Sequence, residues 1–307
     1  MNRNLPTELQ VKAIEELNEV PDRIKDDIEK IREWLAKQQH LKITIDDALI
    51  LSFLRGCKHS LQRTKEKIDY FYTMRTLLPE FYTNRDPLSS ELQTIINAGT
   101  IVLLPKPDPK TGARIIMWAM KNSNPDTMPY SNLLIMSQMM MDILMKEDNN
   151  SIVCGIKVWI DLTDCSPKYF TQFTPVLLKK HIDCAEKGYP LRIKGMYVTN
   201  CPAFLEYTYH LVKSFAKSKI AKRLSLYKDV KDLYDEVPQN LMPQEFGGES
   251  ITLDALKMAW KKKVESYRDW FLEDLKSKSD ESLRLGEPKT MSNVFGVEGS
   301  FRKMNID

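Results

Sequence analysis

Few residues in this chain have the types and spacing for chemistry. Cys165 or Cys184 with His181 could serve as nucleophile and base, and His181 and Cys184, at i, i+3, share one helical face. Asp161 and Asp164, in the run WIDLTDCSP beside Cys165, are a candidate carboxylate pair. Each has a plainer reading, and we favour the plainer ones. A free cysteine is commonly a small buried residue, and an aspartate at a strand end accepts turn and N-cap hydrogen bonds. The four histidines, His40, His59, His181 and His210, never fall three or four residues apart, so the simplest helical metal pair is missing. The five cysteines, Cys57, Cys154, Cys165, Cys184 and Cys201, contain no C-x-x-C, which argues against a zinc site and a disulfide framework and for reduced thiols in cytosol. No dinucleotide G-x-G-x-x-G, phosphate loop or G-x-S-x-G elbow occurs. The expectation is a protein that is not an enzyme and needs no cofactor or metal.

Composition narrows the class further. At 307 residues the chain has room for one large domain and a smaller one, and 42% apolar with 28% charged residues is ordinary for a globular protein. A net charge of +3 is too small to imply a nucleic-acid partner, so any electrostatic role must come from local clustering. The start MNRNLPTELQ lacks the apolar core of a signal peptide, and no run approaches the ~18 apolar residues of a spanning helix. A monomer kept in the cytosol, or visiting membranes only from outside, is expected.

The elements that must position any site read as follows. Residues 1–85 are helical: Ile24, Ile28, Ile31 and Leu35 make one apolar stripe, a capping pattern at Thr44 to Asp47 opens ALILSFLRG, and a helix over about 60–78 carries Ile68, Phe71, Tyr72 and Arg75 up to Pro79. Over 86–250 short β-branched runs alternate with helical ones. TIVLL and RIIMWAM are joined by the turn PKPDPKTG; then come the helix NLLIMSQMMMDILMKE, the strand SIVCGIKVWIDL, a helix over about 167–186, the strand LRIKGMYVT, a helix over about 202–222 and the strand RLSLY. This rhythm predicts a mostly parallel sheet with right-handed crossovers. Over 251–307, Trp260, Val264, Tyr267, Phe271 and Leu275 form one more helical stripe, followed from Ser277 by a polar tail expected to be partly disordered.

Two stretches carry a family resemblance. LILSFLRGCKHSLQRTKEKI, with its Phe-Leu-Arg core, resembles the amino-terminal helical module of the CRAL-TRIO lipid-binding family. The succession VWIDLTDCS, YPLRIKGMYVTNCPAFLEYTYHLVKSFAKSKIAKRL and LMPQEFGGE resembles that family's lipid-binding domain, in the branch of tocopherol-transfer, retinaldehyde-binding and clavesin proteins; the likeness runs over about 23–249. It implies an α/β fold: a small helical bundle, then a mostly parallel sheet flanked by helices, with a movable gate helix closing an apolar cavity. The cargo it implies is a small hydrophobic isoprenoid such as tocopherol, a retinoid, a carotenoid or another terpenoid. The partner surface is an anionic, phosphoinositide-containing membrane. A trafficking adaptor of the clavesin type is the alternative.

Residues follow from this reading as expectations. The sheet would contribute Trp118, Ile156, Val158, Ile160, Ile193, Met196 and Val198, although period-two alternation leaves open which set meets the ligand. Met136 and Met140 would offer soft wall atoms, with a plain core role as the alternative. Phe170, Phe173, Leu177 and His181 would come from the next helical stretch. The gate would present Phe204, Tyr207, Thr208, Leu211 and Phe215 on one face, with Lys213 and Lys217 pointing away; Tyr207, Tyr209 and His210 make that neighbourhood polar enough to meet a hydroxyl, ester or aldehyde. The resemblance further implies headgroup binding by Arg192, Lys194, Lys219 and Arg223, each basic group near an anionic leaflet being worth about 1 kcal/mol. Arg55 is a fifth candidate, with a structural ion pair as its alternative.

Overall fold

The computed structural model describes residues 4–296. Its amino-terminal part is helical: α1 (Thr7–Leu17), α2 (Ile24–Ala36), α3 (Asp47–Gly56), α4 (Leu61–Leu77), α5 (Pro79–Tyr82) and α6 (Ser90–Ala98), with the short strand β1 (Leu41–Lys42) between α2 and α3. Local chemistry sets these bounds. Asp46 caps α3 by accepting from the Leu49 amide at 2.8 Å, Ser60 and Ser89 cap α4 and α6, and Gly99 closes α6 in the left-handed region. Ile28 and Ile31 of the expected stripe are buried against α4.

The sheet follows: β2 (Ile101–Leu103), β3 (Arg114–Ala119), β4 (Ile156–Asp161), β5 (Ile193–Thr199) and β6 (Leu224–Tyr227), in that spatial order, with β2 antiparallel to β3 and the remaining pairs parallel. Between strands lie α7 (Tyr130–Glu147), α8 (Asn149–Cys154), α9 (Pro175–Asp183), α10 (Ala203–Phe215) and α11 (Ser218–Ala221). One sheet face packs Ile115, Met117, Trp159 and Tyr197 against Leu233, Val237, Leu241 and Met242, with the Phe246 ring 5.2 Å from that of Trp159. The other face turns toward α7, α9 and α10.

Three elements differ from expectation, each for a local reason. The first half of the run over 151–162 is helical, because Asp148 caps α8 through the Ser151 amide at 2.7 Å and only Gly155, at φ 89°, turns the chain into β4. The single helix expected over 167–186 is divided: a 3-10 turn spans Pro167–Gln172, and α9 restarts with Pro175 in its first turn and Thr174 as cap. The helix expected over 202–222 breaks after Phe215, where the Lys217 amide leaves the helical ladder and donates to the Glu186 carboxylate at 3.0 Å.

The carboxyl-terminal part is more ordered than composition suggested. After α12 (Leu253–Ser266) and α13 (Arg268–Asp274), β7 (Lys278–Ser279) pairs antiparallel with β1, and α14 (Met291–Phe295) packs on α9 with Phe295 buried. Ion pairs hold it there: Arg284 Nη2 lies 2.9 Å from Asp69 and Lys289 also reaches that carboxylate. The rest of the polar tail, 297–307, falls outside the described residues. Deeper in, Arg75 and Arg85 share Asp142 and Asp274, with Arg85 Nη1 at 2.6 Å and Arg75 Nη2 at 3.0 Å from Asp274, which ties α4 to α7 and α13. A buried network of this kind specifies one arrangement of elements, because breaking it strands a charge.

Candidate functional site

The sheet face toward α7, α9 and α10 does not close onto its helices. It floors an apolar cavity of about 210 Å³, with Ile116 and Trp118 from β3, Ile156, Val158 and Ile160 from β4, and Leu224 from β6. β5 contributes Ile193, Met196 and Val198. Strict alternation would send Ile193 and Met196 to opposite faces. A register shift in the β4–β5 ladder, where Ile156 pairs with Ile193 but Lys157 pairs with Gly195, inserts the extra residue that brings both to the same side.

The walls come from α7 through Tyr130, Ser137, Gln138 and Met141, and from α9 and its continuation through Leu178, His181, Ile182 and Ala185. The lid is α10, whose Leu205, Thr208, Tyr209 and Val212 repeat at i, i+3, i+4, i+7. Phe173 completes the lining on the α9 side.

Ten of the expected lining residues therefore meet the cavity: Trp118, Ile156, Val158, Ile160, Phe173, His181, Ile193, Met196, Val198 and Thr208. Eight are placed elsewhere. Met136 and Met140 are buried among core side chains, because α7 is apolar on every face and periodicity could not tell its cavity side from its core side. Leu177 packs at the core margin, one residue off the cavity face of α9. On α10 the inner face is rotated from the expected one: Phe204, Leu211 and Phe215 pack at the flank of the core, and Tyr207 is 65% exposed. Phe170, on the 3-10 turn, is 43% exposed. His210 is exposed as well, whereas the Tyr209 hydroxyl donates to the Leu224 carbonyl at 3.1 Å.

His181, considered above as a catalytic base, faces the cavity with its Nδ1 3.3 Å from the Tyr130 hydroxyl. Burial lowers its pKa from 6.5 to about 4, so the imidazole is neutral. Cys184 is fully buried and its thiol is pushed up by desolvation, the opposite of an activated nucleophile. Asp161 accepts from Thr199 Oγ1 and Asn200 Nδ2, both at 2.8 Å, and from the Thr163 amide, which ties the ends of β4 and β5 together. Asp164 is exposed and turned toward Lys121 at 3.8 Å, so the carboxylate pair does not form.

The basic residues are divided. Arg55 is 2% exposed and its Nε lies 2.7 Å from Glu19, which corrects its headgroup assignment: the guanidinium is consumed inside the helical region. Burial alone would raise the Glu19 pKa, but hydrogen bonds from His59, Arg55 and Gln10 overcome it and bring it to about 2. Arg192 donates to the Val153 carbonyl and Arg223 to that of Ile193, Lys194 stands 3.9 Å from Glu16, and Lys219 is exposed.

Arg192 also opens onto a second cleft, of about 400 Å³, between α4 and the segment after α9. Its other cations are Lys58, Arg63, Lys67, Lys187 and Lys217, set against Glu66 and Glu186. Lys67 is held by the carbonyls of Glu186, Lys187 and Tyr189 at 2.9, 3.1 and 3.0 Å, and burial lowers its pKa to about 8. Sequence reasoning missed this cleft. The run KHSLQRTKEK contains three of its cations, but the other three lie more than a hundred residues away.

Comparison with known proteins fits this geometry. Residues 97–248 match the family described as CRAL/TRIO domain, and residues 20–92 match one described as Pinta-like, UBA domain. The chain carries a CRAL/TRIO domain. It is 29% identical over 253 residues to the alpha-tocopherol transfer protein-like protein of Mus musculus, covering 82% of this chain and 73% of that one. With Clavesin-1 of Xenopus laevis it shares 25% identity over 235 residues, 76% of this chain and 70% of the other. The crystal structure of Sfh5 matches at a TM-score of 0.47 and 14% identity, covering 85% of this chain and 98% of that chain. The cavity and its α10 lid lie within the CRAL/TRIO domain, whereas the basic cleft is built jointly by that domain and by α3 and α4 of the preceding match. Among the described residues no helix is long and apolar enough to cross a membrane.

Proposed function

We propose that this protein carries one small hydrophobic ligand of the isoprenoid type and docks reversibly on phosphoinositide-containing membranes to load or release it. A lipid-binding or lipid-transfer role is what the CRAL/TRIO domain and the relatives support. The observation that carries the finer reading is the apolar cavity itself, floored by the sheet and lidded by α10. Burying a few hundred Å² of ligand at about 25 cal/mol/Å² offers on the order of 10 kcal/mol before association costs, enough to hold a water-insoluble molecule without any reaction. α10, with a cavity face and an exposed outer face, is the element whose displacement opens the site. Mass spectrometry of an organic extract of the purified protein tests the reading: a stoichiometric apolar molecule is expected, and an extract without one, together with no uptake of tocopherol, retinol or terpenoids in titration, removes it.

A trafficking adaptor that reads phosphoinositides is the second reading, favoured by the basic cleft. In both, the docking surface combines Arg192, Lys194, Lys219 and Arg223 with the cleft residues Lys58, Lys187 and Lys217. Flotation with vesicles containing phosphatidylinositol bisphosphate, before and after substituting these residues with Ala, tests the surface; unchanged flotation denies it. Variants that lose docking but keep cargo, and the reverse, tell a carrier from an adaptor.

A further inference from the structure

The polar groups on the cavity wall are not equivalent. Tyr130 and His181 bond each other, the Tyr209 hydroxyl is spent on the Leu224 carbonyl, and Glu186 takes the Lys217 amide. Gln138 stands apart. It is only 2% exposed and lines the cavity, and among the described residues nothing hydrogen-bonds its carboxamide; the Tyr189 hydroxyl donates to its backbone carbonyl instead. Ser137, its neighbour on α7, and Thr208 on the lid also line the cavity, and among the described residues neither hydroxyl has a hydrogen bond. Its amide atoms are not sealed in the wall but open onto the cavity, so a ligand that fills the space strips them of water unless it supplies a partner. The other polar buried residues of α7 are Tyr130, bonded to His181, and Asp142, which has its arginines. Among the described residues no lysine or arginine lines this cavity.

We propose that Gln138, assisted by Ser137, is the anchor for a neutral oxygenated head, a hydroxyl, carbonyl or ester, on an otherwise hydrocarbon cargo. The carboxamide offers two donors and an acceptor, so it serves either a carbonyl or a hydroxyl oxygen. A carboxylate or phosphate head is disfavoured because the cavity wall has no cation to compensate a desolvated negative charge. The apolar floor then takes the chain and the amide sets its direction.

This assignment rests on the carrier reading, and the test separates the two. Displacement of N-phenyl-1-naphthylamine from the full chain by farnesene, farnesol, farnesyl acetate and farnesoic acid compares one terpenoid chain with different heads. The alcohol and ester are expected to bind about tenfold more tightly than the hydrocarbon, the worth of one hydrogen bond, with the acid weaker than the ester at neutral pH. Gln138→Leu and Gln138→Met are expected to erase that tenfold and to bind farnesene at least as tightly as wild type, since no amide is then stripped of water; retained farnesene binding also certifies that the variants fold. Equal affinity for hydrocarbon and alcohol, or an acid that matches the ester, overturns the anchor and leaves the carrier intact. Binding of none of these ligands overturns both.

Discussion

The Tyr130 hydroxyl lies 3.3 Å from Nδ1 of His181, joining α7 to α9 at the wall of the apolar cavity. The contact places an ionisable ring where charge is penalised, and so makes the protein sensitive to acid from inside.

The first prediction concerns this ring. The free imidazole titrates at 6.5 and the folded one at about 4. Between those values the unfolded chain binds a proton that the native protein refuses, so stability falls as pH drops through this window, by up to roughly 3 kcal/mol. His181→Phe is expected to flatten the decline in denaturant midpoint between pH 6.5 and 4.5, a range above the one in which Glu19 acts. Glu19, lowered from 4.5 to about 2, contributes stability that is present above 4.5 and lost toward 2. An unchanged slope in His181→Phe would show that the ring is hydrated in solution.

Arg55 separates structure from docking. Removing it leaves the buried Glu19 carboxylate without its guanidinium partner, so Arg55→Ala is expected to cost about 3–5 kcal/mol of stability. Lys217→Ala, on an exposed side chain at the cleft, should leave the melting temperature unchanged and weaken vesicle association by about 1 kcal/mol. Thermal melts and flotation on the same samples check both; a Lys217→Ala protein that floats like wild type counts against the cleft.

Filling the floor should uncouple cargo from membrane. Val158 is at the middle of β4 and faces the cavity, so Val158→Trp occupies ligand space at a stability cost of about 1–3 kcal/mol. Cargo retention is expected to drop more than tenfold with vesicle flotation unaffected. Normal cargo content in this variant would place the ligand elsewhere.

Exposed aromatics outside the cavity define the last test. Phe170, on a 3-10 turn that contacts α10, is 43% exposed, and Tyr207, on α10 itself, is 65% exposed. Aromatic rings at this level of exposure beside a lid suit insertion among lipid headgroups. Phe170→Ser with Tyr207→Ser is expected to slow ligand transfer between vesicles several-fold while leaving ligand affinity unchanged; transfer at the wild-type rate would assign these rings no part in it.

Much of this was readable along the chain. The stripe through Ile28 and Ile31, the caps around Asp46, and the strand and helix rhythm from Thr100 to Leu224 are local patterns, and a local pattern forms an element before distant partners matter. The β4 residues of the cavity were legible because Ile156, Val158 and Ile160 alternate with Lys157, Trp159 and Asp161, so period two sets the aliphatic three on one face. Orientation is where reading stopped. Whether Met136 or Gln138 faces the hollow depends on which side of α7 meets the sheet, and whether Leu211 or Val212 does depends on how α10 is rolled. The fate of Arg55 depended on Glu19, thirty-six positions earlier, and that of Arg192 on Lys67 and Lys217 converging beside it. Periodicity places side chains relative to their own axis, whereas burial and charge compensation are settled between axes, by the packing that brings distant segments into contact.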